Sequence, residues 1–208
     1  VYGKFNPIMR TVNGVTEATN VELGNVYTVA NVFSVSTVQC TPAVVGSWIG
    51  YVAAAWSKYR WKMVRFIYMP LCSTSTFGLV HMGLQYDNLD TNPASVTAMS
   101  SLAKYTVAPV WSGFQVAPVL SSFGAELPEG SVVVDVDVTK FEKAWYSYVT
   151  SAAFTAQSTI AASLGTTLSP ARLVIATSDG SGGAINAGRL IVQYIIELIE
   201  PTTPTNNV

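Results

Sequence analysis

The chain has 208 residues and a mass of 22.2 kDa, with 11 Lys and Arg, 12 Asp and Glu, and a formal net charge of −1. One His and two Cys exclude a two-His metal centre and a four-thiolate zinc site, and a near-neutral chain is not by itself a strong polyanion binder. Only 11% of residues are charged, against about 25% in an ordinary soluble domain, so either Ser and Thr coat the surface or other subunits bury much of it; the second reading is favoured.

Valine leads the composition with 28 copies, and 21 Thr add further β-branched residues. A weak strand is expected over 8–15. The alternating window Val26-Tyr27-Thr28-Val29-Ala30-Asn31-Val32-Phe33 predicts a second. Thr41-Pro42 opens a predicted helix over 42–56, with Thr as cap and Pro in the first turn. Its apolar residues Val45, Ile49, Val52 and Trp56 recur at helical spacing. Strands follow over 60–70 and 77–86. A short helix is expected over 94–102 after Asn92-Pro93, then strands over 105–110 and 131–138. In the latter, Asp135 and Asp137 share one face, and Val134, Val136 and Val138 the other. The Ala-rich stretch 152–163 reads as a helix closed by Gly165. Strands over 171–177 and 189–198 complete the set, with the flexible loop Asp-Gly-Ser-Gly-Gly (179–183) between them. The tail 201–208, rich in Pro and Thr, is not expected to extend a sheet. Together these predict an all-β fold: an eight-stranded antiparallel jelly-roll sandwich with short helices in its connections, one domain over 1–208. No apolar run approaches the roughly 18 residues of a membrane-spanning helix. Cys40 and Cys72 have no motif spacing and read as free, buried thiols.

Three constellations bear on chemistry. Asp87 and Asp90 frame D-N-L-D in a turn after a strand. Asx-turn geometry explains them as solvated residues, and as a cation signal the motif is weak, since calcium takes six to eight oxygen ligands. Lys58, Arg60, Lys62 and Arg65 surround Tyr59 and Trp61. Strict alternation puts the first three on one strand face and Arg65 on the other. Three readings stand: phosphate contact with RNA, a solvated face with Trp61 and Met63 packed inside, and ion pairing across subunits to Asp135 or Asp137. Enzyme readings are weaker. His81 lies between Val80 and Met82 and reads as a packed histidine. No G-x-S-x-G elbow is present. Asp135 and Asp137 are spaced about 7 Å apart on one strand face, and a solvated or ion-paired edge explains them better than a glycosidase pair. Residues 179–183 lack the Lys of a phosphate loop. Trp48, Trp111 and Trp145 are scattered, which suits core or interface packing better than a carbohydrate groove.

The chain resembles the coat proteins of sobemoviruses, small icosahedral plant viruses with positive-strand RNA. WSKYRWKMVRFIYMP (56–70) is similar to the family's basic-aromatic strand ending in Tyr-x-Pro. GLVHMGLQYDNLDTNP (78–93) is similar to the next strand and its acidic turn, Tyr-Asp-x-x-Asp-Thr-x-Pro. Val110-Trp111-Ser112-Gly113, Leu168-Ser169-Pro170-Ala171-Arg172-Leu173 and the Pro- and Thr-rich end before Asn206-Asn207 resemble three further elements in the same order. The resemblance implies a shell-domain jelly roll that assembles with copies of itself into a T=3 shell around single-stranded RNA. It also implies calcium between subunits. One subunit supplies Asp87 and Asp90; its neighbour supplies Asn206 or Asn207 and a backbone carbonyl near Tyr146. The family's basic amino-terminal arm contacts RNA. Lys4 and Arg10 are the only early cations here and the chain starts at Val1, so that arm is expected upstream, with Lys58, Arg60 and Lys62 as the RNA-facing candidates within the shell domain. The expected location is the virion, with assembly in the host plant cytoplasm. No catalysis is expected. The alternative is a monomeric or dimeric jelly-roll carbohydrate-binding module with structural calcium.

Overall fold

Alternating apolar residues build two antiparallel sheets that close on each other. The computed structural model describes residues 9–12, 15–28, 33–111, 131–150, 167–180 and 185–203. Its strands are β1 (Met9–Val12), β2 (Val15–Thr28), β3 (Ser34–Gln39), β4 (Trp56–Pro70), β5 (Leu79–Gln85), β6 (Ala103–Pro109), β7 (Val132–Asp135), β8 (Tyr146–Ser147), β9 (Arg172–Ser178) and β10 (Ile185–Pro201). Two short helices, α1 (Ser47–Ala53) and α2 (Val96–Ser100), lie in the connections, and a 3-10 turn covers Val138–Lys140. The larger sheet runs β1-β2-β10-β4-β7, with β8 paired to the start of β4; the smaller runs β3-β9-β5-β6. Eight of these strands, β2-β10-β4-β7 against β3-β9-β5-β6, make the jelly roll, and β1 and β8 extend the larger sheet.

The core lies between the sheets. Tyr59, Trp61, Val64, Phe66 and Tyr68 of β4 and Leu190, Val192, Tyr194, Ile196 and Leu198 of β10 meet Val80, Met82 and Leu84 of β5 and Leu173 and Ile175 of β9. Tyr59 donates to Leu168 O at 2.5 Å, and Trp61 Nε1 to Cys40 O at 2.8 Å, so these large side chains satisfy their polar tips inside. The outer face of the smaller sheet is covered in part by α2, whose Met99 packs with Val174 and Ala176. Ser95 caps α2 by accepting from Ala98 N at 3.2 Å.

Several sequence expectations shift. The window 26–33 is not one strand: β2 ends at Thr28 and β3 begins at Ser34. The helix expected over 42–56 is confined to Ser47–Ala53, with turns at 42–44, and Trp56 already opens β4. β7 stops at Asp135, and Asp137 leaves the strand to cap the 3-10 turn through Thr139 N at 3.1 Å, so the two carboxylates do not share a strand face. β10 reaches Pro201, which pairs with Trp56. The helix expected over 152–163 lies outside the described residues.

The largest departure is in β4. Ile195 pairs with Met63 and Ile196 with Trp61, so Lys62 is the extra residue of a β-bulge. Alternation changes phase there: Tyr59 and Trp61 point inward before it, Val64, Phe66 and Tyr68 after it. Arg65 therefore joins Lys58 and Arg60 on the outer face, contrary to strict period two.

Neither cysteine is in a disulfide; Cys72 is half-buried rather than buried, while Cys40 is buried and desolvation pushes its thiol up to about 12. Gly188 marks a close approach. A Cβ there would lie 2.6 Å from Tyr68 Cε2 and run into the Met69 carbonyl. Gly188→Ala is expected to destabilise the fold by about 1–3 kcal/mol through overpacking, read as a lower urea midpoint at unchanged slope.

Candidate functional site

The acidic turn follows β5. Asp87 and Asp90 are exposed. Asp87 Oδ1 accepts from Leu89 N at 2.7 Å, an Asx turn. Asn88 Nδ2 donates to Ser169 O at 2.8 Å, tying the turn to the segment before β9. From below, Arg172 grips the Asp90 carbonyl, and Gln85 Nε2 donates to Thr91 O at 3.1 Å. Among the described hydrogen bonds, one of the four carboxylate oxygens is used. Hard carboxylate oxygens are the donors calcium takes, so the donor set fits that ion. No third His, Cys, Asp or Glu among the described residues joins them, so the turn supplies two carboxylates and no further acidic, imidazole or thiolate ligand.

The other expected ligands belong to a neighbouring subunit in that reading. Tyr146 sits on β8, opposite Tyr59 of β4, with its ring buried against Tyr59 and Phe141 and its hydroxyl accepting from Lys143 N at 3.2 Å. Asn206 and Asn207 lie outside the described residues. Arg172, Gln85 and Asn88 were missed as supports of the turn; Gln85 and Arg172 lie on the outer face of the smaller sheet and Asn88 in the turn itself, where polar residues carry no special sequence signal.

The second constellation is the basic row on β4. Lys58 Nζ lies 2.6 Å from Glu200 Oε1. Arg60 donates through Nε to Glu197 Oε2 at 2.8 Å and through Nη2 to the same oxygen, and Lys62 Nζ is 3.4 Å from it. Arg65 forks onto Asp135 at 2.5 and 3.1 Å. Trp145 lies under the Arg60 guanidinium, 4.5 Å from it. The expected pairing of this row with Asp135 across subunits is thus found within one chain for Arg65. Glu197 and Glu200 were missed as partners because the pairing depends on the β4–β10 register.

His81 is 2% exposed. Its Nδ1 shares a hydrogen bond with the Tyr105 hydroxyl at 2.9 Å, its Nε2 one with Ser178 Oγ at 2.9 Å, and Ser178 donates to Asp179 Oδ2 at 2.8 Å. The carboxylate touches the serine and not the imidazole, which is the wrong order for a nucleophilic triad. Burial lowers the His81 pKa, opposed by Asp179. Trp111 is half-buried against the core.

Comparison with known proteins places these features. The profile of the viral coat protein family (S domain) matches residues 6–204. The capsid protein of Poinsettia latent virus is 39% identical over 174 residues, 83% of this chain; the match spans 57% of that protein's length. The solved structure of tobacco necrosis virus superposes with a TM-score of 0.82 at 33% identity, covering 97% of this chain and 100% of the other. Cocksfoot mottle virus, at 23% identity, gives a TM-score of 0.77 over 98% of this chain and 100% of the other, and shares the fold.

The basic row has a pH signature. Hydrogen bonding to Arg60 is the largest cause holding Glu197 below the ordinary carboxylate range, with Lys62 adding to it. A carboxyl depressed on folding stabilises above its unfolded pKa of about 4.3 and loses that contribution as pH falls through the folded value. Between pH 6 and pH 3 the stability difference between parent and Glu197→Gln, from urea unfolding, is expected to shrink, with a plateau of about 1 kcal/mol or less at pH 6.

Proposed function

This chain belongs to the viral coat protein S-domain family, and on that premise we propose that it is the shell domain of a capsid protein that assembles with copies of itself into a closed icosahedral shell around single-stranded RNA. The affiliation spans coat proteins of the tombusvirus, necrovirus and sobemovirus type, and is wider than the sobemovirus resemblance in the sequence. The role is structural and not enzymatic. The observation that carries the proposal is the match over 6–204 together with a fold that superposes on the solved structure of tobacco necrosis virus.

Attraction between copies comes from apolar surface. Trp48 and Tyr51 of α1 are 56% and 78% exposed, and α1 carries no charge. Aromatic residues in an uncharged setting are the usual anchors of protein interfaces. The quasi-equivalent arrangement is T=3, the particle is the location of the protein, and assembly takes place in the host plant cytoplasm.

Asp87 and Asp90 hold calcium at a boundary between neighbouring subunits, with Asn206 or Asn207 and a carbonyl near Tyr146 of the neighbour completing the ligands. Calcium bound there cancels the carboxylate charge. The chain itself supplies a braced turn whose carboxylates face solvent. RNA is neutralised mainly by residues outside this domain. Lys58, Arg60, Lys62 and Arg65 are four cations set against Glu197, Glu200 and Asp135, so this face carries about one uncancelled positive charge. It is expected to contribute about one phosphate to the salt dependence of RNA binding, a slope change near 0.7, when Lys58, Arg60 and Lys62 are replaced together.

Size-exclusion chromatography with electron microscopy tests the assembly reading; a monomer that binds glycans would point to the carbohydrate-binding alternative. For the cation, Asp87→Asn with Asp90→Asn is expected to give particles whose hydrodynamic radius no longer responds to chelation. A double variant that swells like the parent on chelation places the site elsewhere.

A further inference from the structure

Beneath the acidic turn lies a cation with no assigned role. Arg172 opens β9 on the outer face of the smaller sheet, between Gln39 of β3 and Gln85 of β5. It is 9% exposed. Its Nε donates to Gln85 Oε1 at 2.8 Å, and its Nη2 donates to the main-chain oxygen of Asp90. Gln85 Nε2 in turn donates to the main-chain oxygen of Thr91 at 3.1 Å. One guanidinium and one amide thus hold two successive carbonyls of the turn.

The choice of acceptor matters. An arginine beside two carboxylates ordinarily forks onto one of them, as Arg65 does onto Asp135. In the described hydrogen bonds, Arg172 instead takes the peptide oxygen, and leaves open to an outside ligand the three carboxylate oxygens of Asp87 and Asp90 that Leu89 N does not use. Its charge still reaches them. The guanidinium is hydrogen-bonded to the main chain of Asp90 itself and is only 9% exposed, so it sits buried against the acidic turn. Arginine stays protonated under such conditions. The turn therefore contains a fixed positive charge that offsets part of the repulsion between its carboxylates and opposes a second cation arriving from solvent.

We propose that Arg172 is a positioning residue for the Asp87–Asp90 cation site, and that its charge lowers the affinity of that site for calcium. The proposal rests on the calcium reading given above. Grip and charge act in opposite directions: the grip orders the turn and favours binding, while the charge weakens it and makes the apo turn tolerable.

Substitution separates the two. Arg172→Gln removes the charge and keeps a donor amide. Arg172→Lys keeps the charge and loses the planar fork that spans Gln85 and Asp90. Calorimetric titration of assembled particles with calcium is expected to show about tenfold tighter binding for R172Q, the size set by one unit charge acting on a divalent ion several Å away at the water-like permittivity of an exposed turn. R172K is expected to bind several-fold more weakly. In differential scanning calorimetry, the rise in melting temperature on adding calcium is expected to be larger for R172Q than for the parent, because the apo state loses its internal counter-charge. If R172Q does not assemble, Gln85→Ala takes its place; it removes one arm of the grip, keeps the charge, and is expected to weaken binding like R172K. Shifts below twofold in every variant that assembles overturn the proposal. Weaker binding by both R172Q and R172K reduces Arg172 to a brace and overturns the claim about charge. A calcium isotherm unchanged in the Asp87→Asn, Asp90→Asn variant overturns the calcium reading itself.

Discussion

The larger sheet depends on one pairing, that of β10 with β4 along nearly the whole length of both strands. β10 is the last of the described strands, yet it lies between β2 and β4. The sheet cannot close until β10 meets β2, more than 150 residues earlier, so loop-closure entropy is spent before most of its contacts form. What rewards that cost is the inward row: Tyr59, Trp61, Phe66 and Tyr68 on one strand, Tyr194 and Ile196 on the other, with Trp61 and Tyr194 edge to face at 5.5 Å. A slip of one residue would turn all of them to solvent. The bulge at Lys62 fixes the register, because only that residue lacks a partner on β10 between the Trp61 and Met63 pairs.

The same bulge governs the electrostatics of the outer face. By changing the phase of β4 it puts Arg65 in line with Lys58 and Arg60. By fixing β10 it puts Glu197 and Glu200 beside that row. A sequence patch that reads as a basic strand becomes a ladder of ion pairs along one sheet. Such pairs, with carboxylate partners 25–54% exposed, add little to stability. Their consequence is cancellation of field. That agrees with the net charge of −1 for the whole chain, which supplies little long-range attraction for a polyanion.

The fold class was legible because its signal is repetitive. Each long strand carries enough β-branched and aromatic residues at alternate positions to declare itself, and α2 has a cap in Ser95 and a stop at Ser101. The edges were less legible for a physical reason. β2 contains Glu17, Asn20, Glu22, Gly24 and Asn25, a polar run that hides a strand whose partner, β10, lies more than 150 residues away. The Val-rich stretch 131–138 reads as one strand until Asp137 prefers Thr139 N to the ladder. The acidic turn was legible as a pair of carboxylates. Its supports were not, because Gln85 and Arg172 meet only when β5 and β9 pair, and Asn88 reaches Ser169 across the same gap.

That dependence has a consequence for how the turn operates. Asp87 and Asp90 belong to the loop after β5, but what holds the loop belongs to β9 and the segment before it. The turn is thus ordered only in a folded smaller sheet, and its carboxylates are presented outward from a surface that supplies no further acidic ligand among the described residues. On the proposed reading, the missing oxygens come from a neighbouring copy. Cation binding is then linked to association: whatever free energy the cation gains from the completed sphere stabilises the contact by the same amount, and separating the subunits must weaken the site equally. On the same proposed reading, a buried arginine that lowers the affinity of the half-site keeps an isolated subunit from holding the ion, and leaves the gain to be realised where two subunits meet.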